Sequence, residues 1–338
     1  MNVRLNQFVP PASFILFLAT STLLAQELQP PLENIPLSEE TVNLALHPVH
    51  FDPELGISTA RLGAGSLYQT DLTLVEIPPG GQQAPHRHLV EEMIYIVSGM
   101  GYTNMWVRAG EKPHRYDWQA GDLISPSLNA WHQHFNVSSD TPARYVSVTT
   151  APLSNNMFQD EKFLSSSDFV FEERWQYSIT QQAEYTVTDN SSGRDNIDMR
   201  AGHLLPDLPG RILKQRRNGD LGITTRPNGD MAGNQILEIG IREYQNLERH
   251  PSQYPRETIV YILAGKGSTI LTRGNEPARL LDWEQGDLFI VEANEFFDNG
   301  ARASAVPKSP YPRILMLKPA GYFIGIGNIV PGSNQYSN

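Results

Sequence analysis

Residues 80–99 read GGQQAPHRHLVEEMIYIVSG and place two histidines, His86 and His88, two positions apart. In an extended chain alternate side chains leave the same face, so both imidazoles can grip one metal ion. Glu92 follows four residues after His88 and is within reach as an anionic oxygen ligand, with Glu91 beside it as a competitor for that role. The run 93–97 is apolar and β-rich enough to anchor that side of a site. A second stretch, residues 121–136, reads GDLISPSLNAWHQHFN and carries His132 and His134, again two apart and on one face, after a turn over 126–130. One of that pair completes a set of three imidazoles and one carboxylate.

Such a donor set suits a first-row divalent transition metal. Fe(II) is taken first, with Mn(II), Ni(II) and Cu(II) as alternatives, because affinity follows one common order and does not choose among them. Open coordination positions would accept a catechol- or salicylate-type oxygen pair, or an enolised ketone, beside O2. Glu92 then serves as a ligand or, if substrate displaces it, as a general base. Whichever of His132 and His134 is not the ligand points into the barrel and is expected to hydrogen-bond the bound substrate. Tyr102, Asn104 and Trp106 alternate onto one face of their strand and are expected to wall an aromatic substrate. Arg87, Arg108 and Arg144 are the arginines nearest in sequence for gripping a substrate carboxylate; Arg87, between two inward histidines, should point outward. His47, His50, His114 and His203 carry no motif and are assigned to surface or loop roles.

The order of these parts is G-x5-H-x-H-x3-E-x6-G followed by G-x4-P-x5-H-x3-N. It closely resembles the two consensus motifs of the cupin family, and that resemblance implies a small antiparallel β-barrel with a metal in its mouth. It also selects His132 rather than His134 as the fourth ligand. The Trp-His-x-His ending of the second motif looks most like the gentisate and salicylate dioxygenases, whereas three histidines with a glutamate behind a leader segment resemble the quercetin dioxygenases. Both imply oxidative cleavage of an aromatic ring or enol. Two other expectations stay open: a non-oxidative lyase, isomerase or aminohydrolase, as in cupins resembling oxalate decarboxylase or ureidoglycine aminohydrolase, and a non-catalytic small-molecule-binding protein.

The elements that must position these residues are short apolar or alternating runs broken by Gly, Pro, Asn and Asp, with little helical periodicity; an all-β barrel is expected over 42–150. Expected strands are 66–77, 86–97, 101–107, 122–125, 130–136 and 144–149. The chain then repeats itself. Glu91-Glu92-Met93-Ile94-Tyr95 returns as Glu257-Thr258-Ile259-Val260-Tyr261, 166 residues on, and Asp117-Trp118-x-x-Gly121-Asp122 returns as Asp282-Trp283-x-x-Gly286-Asp287, 165 residues on. Two blocks with nearly one displacement indicate a duplication, hence two tandem jelly-roll barrels, the second over 209–335. In the copy Phe297 stands for His132, Asn299 for His134 and Thr258 for Glu92, and only His250 lies near the lost pair. The second barrel is therefore expected to be metal-free, with apolar packing where ligands once met, and structural or dimer-forming in role. Residues 151–208 are polar and loop-like, and 169–175 and 183–187 are read as short strands or one amphipathic turn, an inter-barrel connection.

Composition bounds the rest. Of 338 residues 40% are hydrophobic and 19% charged, enough apolar surface for two ordinary domains. A net charge of −11 with no basic run argues against a nucleic-acid partner. Arg4 ahead of the apolar stretch 14–25 predicts a signal segment over 1–26, hence export to a periplasmic or extracellular space, with no membrane span once it is removed. The absence of cysteine excludes disulfides and thiolate ligands. The expected partners are a small-molecule substrate, O2 and other copies of the chain in a homo-oligomer.

Overall fold

The computed structural model describes residues 40–63, 66–181, 184–188, 196–216, 220–225, 229–245, 250–300 and 311–321. The expected leader, residues 1–26, lies outside them, as does the end of the second barrel.

Two barrels are present, each made of a large and a small sheet, antiparallel throughout except where Asn196–Arg200 pairs in parallel with Leu221–Thr224 in the large sheet of the second. In the first, a seven-stranded sheet runs in the order Leu204–Leu205, Leu123–Ile124, Glu92–Ser98, Ala143–Thr149, Asp71–Ile77, Ile57–Leu62, His50–Asp52. It faces a three-stranded sheet, His114–Gln119, Met100–Trp106, Trp131–Asn136. In the second barrel a nine-stranded sheet containing Thr258–Ala264, Arg313–Pro319 and Leu237–Glu243 faces a four-stranded one containing Phe296–Gly300 and Lys266–Thr272.

Side-chain alternation explains why the central strands read as unbroken apolar runs. From Glu92–Ser98, Ile94 and Ile96 point into the first barrel while Met93 and Tyr95 join a core shared by both barrels. The copy repeats this, with Val260 and Ile262 inside and Ile259, Tyr261 and Leu263 in the shared core. Strands buried on both faces lose the polar–apolar alternation of a half-solvated sheet. The two tyrosines meet across the join with ring centroids 4.8 Å apart. Gly99 and Gly265 sit at φ 84° and 77°, and Gly121 and Gly286 both at 93°, a region that glycine enters without strain, so the turns that close the repeat keep that residue.

The boundaries differ from expectation in four places. Val42–Asn43, expected in the first barrel, pairs with Asp287–Val291 of the second, and Leu204–Leu205, expected in the connection, pairs with Leu123–Ile124 of the first. Each barrel thus lends a short edge strand to the other, which covers backbone groups that an open edge would leave unpaired. The first part of the connection is helical, with helices Ala151–Phe158, Glu161–Ser166 and Glu172–Thr180, the last replacing the strand or turn expected over 169–175, while the short strand expected over 183–187 is present as Glu184–Thr188. Finally, 86–97 is not one strand. The regular ladder begins at Glu92, and His86 meets the sheet only through an isolated bridge to His132; Pro85, with no N–H to donate, precedes it.

Candidate metal centre

His86, His88, Glu92 and His132 converge, with one donor atom from each lying within 4.8 Å of all the others. The arrangement is built by short local bonds. In each ring Nδ1 faces a backbone carbonyl two residues away: Ala84 O at 3.0 Å for His86, Val90 O at 3.0 Å for His88 and Ala130 O at 2.9 Å for His132. A carbonyl only accepts, so Nδ1 carries the proton and Nε2 is the nitrogen left for coordination. The Nε2 of His132 is buried with no hydrogen-bond partner, and it lies 3.4 Å from Glu92 Oε2. Between His86 and His132 the backbone N–H of each donates to the carbonyl of the other, which clamps their ring centroids 4.1 Å apart.

Glu92 is the anionic member. Its Oε2 is 3.2 Å from His88 Nε2, and the Ser147 hydroxyl donates to Oε1 at 2.5 Å. Burial works against the carboxylate's charge, but the neighbouring His132 and His88 imidazoles outweigh it and hold its pKa well below the usual range. Burial likewise opposes a charge on His88, and the Glu92 bond outweighs it, so the His88 pKa is raised. Burial followed by the neighbouring His132 pulls His86 down to about 2. A buried orphan Nε2 beside a lone carboxylate and two further imidazoles is the donor chemistry of a divalent transition-metal site, and the four residues fit such an ion.

His134 stands outside this set. Its Nδ1 lies 2.7 Å from Thr103 Oγ1, which itself accepts from Trp118 Nε1 at 3.0 Å. With Trp118 donating to the hydroxyl oxygen, the hydroxyl's own proton is available to Nδ1, and that assignment places the His134 proton on Nε2. Burial, then His132, lowers its pKa to about 3, so it is a neutral donor. Its ring centroid is 5.7 Å from that of His132 and 5.3 Å from that of Tyr145.

Other expected site residues lie elsewhere. Thr103 and Met105 face the barrel interior, so Tyr102, Asn104 and Trp106, which alternate with them, face outward. There Tyr102 stacks on Phe135 and Trp106 on Trp131. Arg87 does point outward and lies over Trp131. Arg108 pairs with Glu111 and Glu172, and Arg144 pairs with Glu76 and donates to the carbonyls of Leu44, Ala45 and His47. Glu91 is no rival to Glu92, because odd-numbered positions of this strand face the other barrel and Glu91 accepts from the backbone N–H groups of Gln235, Ile236 and Leu237. His203 is not a surface residue. It is 1% exposed, its Nδ1 bonds Ser125 O, its ring packs between Tyr116 and Trp175, and burial lowers its pKa to about 4. Ser147, Thr103 and Tyr145 were not singled out from the sequence, and Trp118 was noted only as a marker of the repeat. Only strand parity relative to Glu92 and His134 could have found them.

Residues 73–149 match the cupin domain family. No curated protein matches the chain by sequence. Among solved structures, the salicylate 1,2-dioxygenase of Pseudoaminobacter salicylatoxidans, in adducts with gentisate, has a similar fold at TM-score 0.58 and 14% identity, covering 96% of this chain and 95% of that one. The oxalate decarboxylase of Lactobacillus farciminis, in a formate complex, is similar at TM-score 0.52 and 13% identity, covering 85% and 87%.

Proposed function

From a chain with two cupin barrels and a metal centre in the first, we propose a metal-dependent dioxygenase that cleaves an aromatic ring or enol-type substrate of the gentisate, salicylate or flavonol kind. The observation that carries this reading is the pairing of a three-histidine, one-glutamate donor set with a neutral His134 Nε2–H donor beside it. His86, His88, His132 and Glu92 would hold the ion, which, when bound, would supply redox chemistry between substrate and O2. His134 donates a hydrogen bond to substrate oxygen from Nε2, the nitrogen on which the Thr103–Trp118 arrangement leaves its proton. Glu92, steadied by Ser147, takes a substrate hydroxyl proton if substrate displaces it from the ion.

The three arginines expected to grip a carboxylate are all engaged elsewhere. This favours a substrate recognised through adjacent hydroxyl or keto oxygens over one recognised through a free carboxylate alone. The fold likeness to salicylate 1,2-dioxygenase along nearly the whole chain supports the same class. Fe(II) is the ion proposed first. Export by the first twenty-six residues and assembly into a homo-oligomer belong to the same proposal; N-terminal sequencing of secreted material and sedimentation of the mature protein test them.

The deciding experiment is metal analysis of protein from its own compartment, followed by an oxygen-electrode screen against gentisate, salicylate, catechols and flavonols. Stoichiometric O2 uptake with loss of ring absorbance supports the reading. Turnover without O2 uptake assigns a non-oxidative reaction instead, and metal-loaded protein that binds these compounds unchanged assigns a binding protein.

A further inference from the structure

Gln83 enters the first barrel beside the metal centre through a break in regular strand pairing. The bridge between Gln82 and Phe135 sets Gln83 opposite His134, whose carbonyl accepts from the Gln83 N–H at 3.0 Å, and the next bridge joins His86 to His132. From Gln83 to His86 is three steps along the chain, whereas from His134 to His132 is two. Without that extra residue, alternation would bring Gln83 and Pro85 inward and turn His86 out. With it, Gln83 and His86 both face the interior. The second barrel keeps regular pairing at this place, with His250 opposite Asn299 and Ser252 opposite Phe297. Past it the two barrels are in step again: Asn129 N–H donates to the carbonyl of His88, and Asn294 N–H to that of Tyr254, which holds the place of His88. The bulge therefore belongs to the barrel that carries the metal centre.

The Gln83 amide is turned from inside the barrel. Tyr145, two residues from Ser147 and on the same face, is 2% exposed, and its hydroxyl donates to Gln83 Oε1 at 2.7 Å. Burial, then Glu92, raises the phenol's pKa well above its ordinary value, so its proton stays in place and needs an acceptor. Giving the amide oxygen to Tyr145 turns the NH2 group of Gln83 away from it. Gln83 is half-buried between exposed Gln82 and Ala84, so that group stands where the interior meets solvent. Among the described residues its Nε2 has no acceptor. The same holds for the Nε2–H of His134, whose ring centroid is 5.3 Å from that of Tyr145 and 6.3 Å from that of the ligand His86. Two neutral donors thus stand beside the ligands with nothing of the protein to receive them.

We propose that Gln83 is a specificity-determining residue of the first barrel: its amide N–H and the Nε2–H of His134 together hold one acceptor oxygen of the substrate, an ionised hydroxyl or a keto group, and Tyr145 is the positioning residue that turns the amide. The assignment rests on the first barrel being where an oxygen-chelating substrate binds. A neutral pair suits an oxyanion near Glu92, because it stabilises the oxygen without burying a further charge. A substrate with an amino group or a bare carbon at that point would leave the donors stranded, which makes the position selective.

The test is anaerobic titration of metal-loaded protein with nitrocatechol, whose visible band reports binding without turnover. Gln83→Leu should lower affinity about tenfold, the scale of one hydrogen bond to an ionised oxygen. Gln83→Glu should lower it further, because it keeps an acceptor for Tyr145 and puts a carboxylate where the donor stood. Both variants should match the unaltered protein in metal content. Tyr145→Phe should lower affinity less than Gln83→Leu and add nothing to it in the double variant, a non-additivity that lost packing would not give. Unchanged affinity in both folded, metal-loaded Gln83 variants, losses in Gln83→Leu and Tyr145→Phe that simply add, or metal lost from Gln83→Leu would each overturn the inference and leave the proposed function standing. Metal-loaded, unaltered protein that binds neither nitrocatechol nor gentisate would overturn both.

Discussion

Glu91 and Glu257 hold equivalent places in the two barrels, and each carboxylate binds the backbone of the other barrel. Glu91 accepts from the N–H groups of Gln235, Ile236 and Leu237, and from Arg174 at 2.9 Å. Glu257 accepts from the N–H groups of Tyr68, Gln69 and Thr70 and from the Thr70 hydroxyl. Both are about 2% exposed, so removing either side chain strands several buried donors. Glu257→Ala should cost on the order of 3 kcal/mol in chemical denaturation, since bonds to a charged acceptor are among the stronger ones. The metal content of the folded variant should be unchanged. A loss below about 0.5 kcal/mol would mean that the shared apolar core alone holds the barrels together.

This pair also shows where sequence reading stopped. Glu91-Glu92 and Glu257-Thr258 located the repeat, and the spacing of His86, His88, Glu92 and His132 located a cluster that the structure brings together. These are short-range signals, fixed by strand parity and by turns that demand glycine. What the sequence did not disclose depends on pairing between distant segments. The outward face of Tyr102, Asn104 and Trp106 follows from which parity carries Thr103 inward, and both parities of Met100–Trp106 contain side chains able to be buried.

Substitution at the four ligand positions should separate from substitution at His134. His86→Ala, His88→Ala and His132→Ala each remove one of few ligands and are expected to lower metal affinity by at least one to two orders of magnitude. His134→Asn copies Asn299, which accepts from the Thr269 hydroxyl at 2.6 Å in the second barrel, so the fold has already accepted asparagine there. That variant should keep its metal and lose on the order of a hundredfold in turnover, the scale of one positioned donor. Metal analysis beside kcat distinguishes the two sets, and metal loss in His134→Asn would make it a ligand.

Acid should compete with the metal at His88. Its Nδ1 proton goes to Val90 O, and its Nε2 faces a carboxylate that can only accept, so without metal the pair is satisfied by a second proton on Nε2. The direction of the shift agrees, because the folded pKa is raised above 6.5. The metal-free fold therefore draws stability from this pair below the ordinary imidazole pKa and loses it as pH rises through the raised value. Metal binding must expel that proton. Affinity should climb about tenfold per pH unit until the raised pKa is passed, with about one proton released per ion bound. Calorimetry in buffers of different ionisation enthalpy measures the release, and a pH-independent affinity between pH 5 and about 7 would contradict it.

Reciprocal exchange of His132 and Phe297 tests whether the duplicated barrels have truly parted in chemistry. Phe297 is 1% exposed and packed among Val260, Leu271 and Met316, with Tyr254 against its ring. An imidazole there would lie in an apolar core beside Thr258 and Ser252, which offer hydroxyls and no second imidazole or carboxylate. Phe297→His should therefore destabilise the chain by about 2 kcal/mol and add no metal. In the first barrel His132→Phe should abolish metal binding while the relief of a buried orphan nitrogen offsets much of the packing cost. Denaturation midpoints and metal content of the two variants check both halves. A second equivalent of metal in Phe297→His would show that the copy kept more of its coordinating geometry than Ser252, Tyr254 and Thr258 allow.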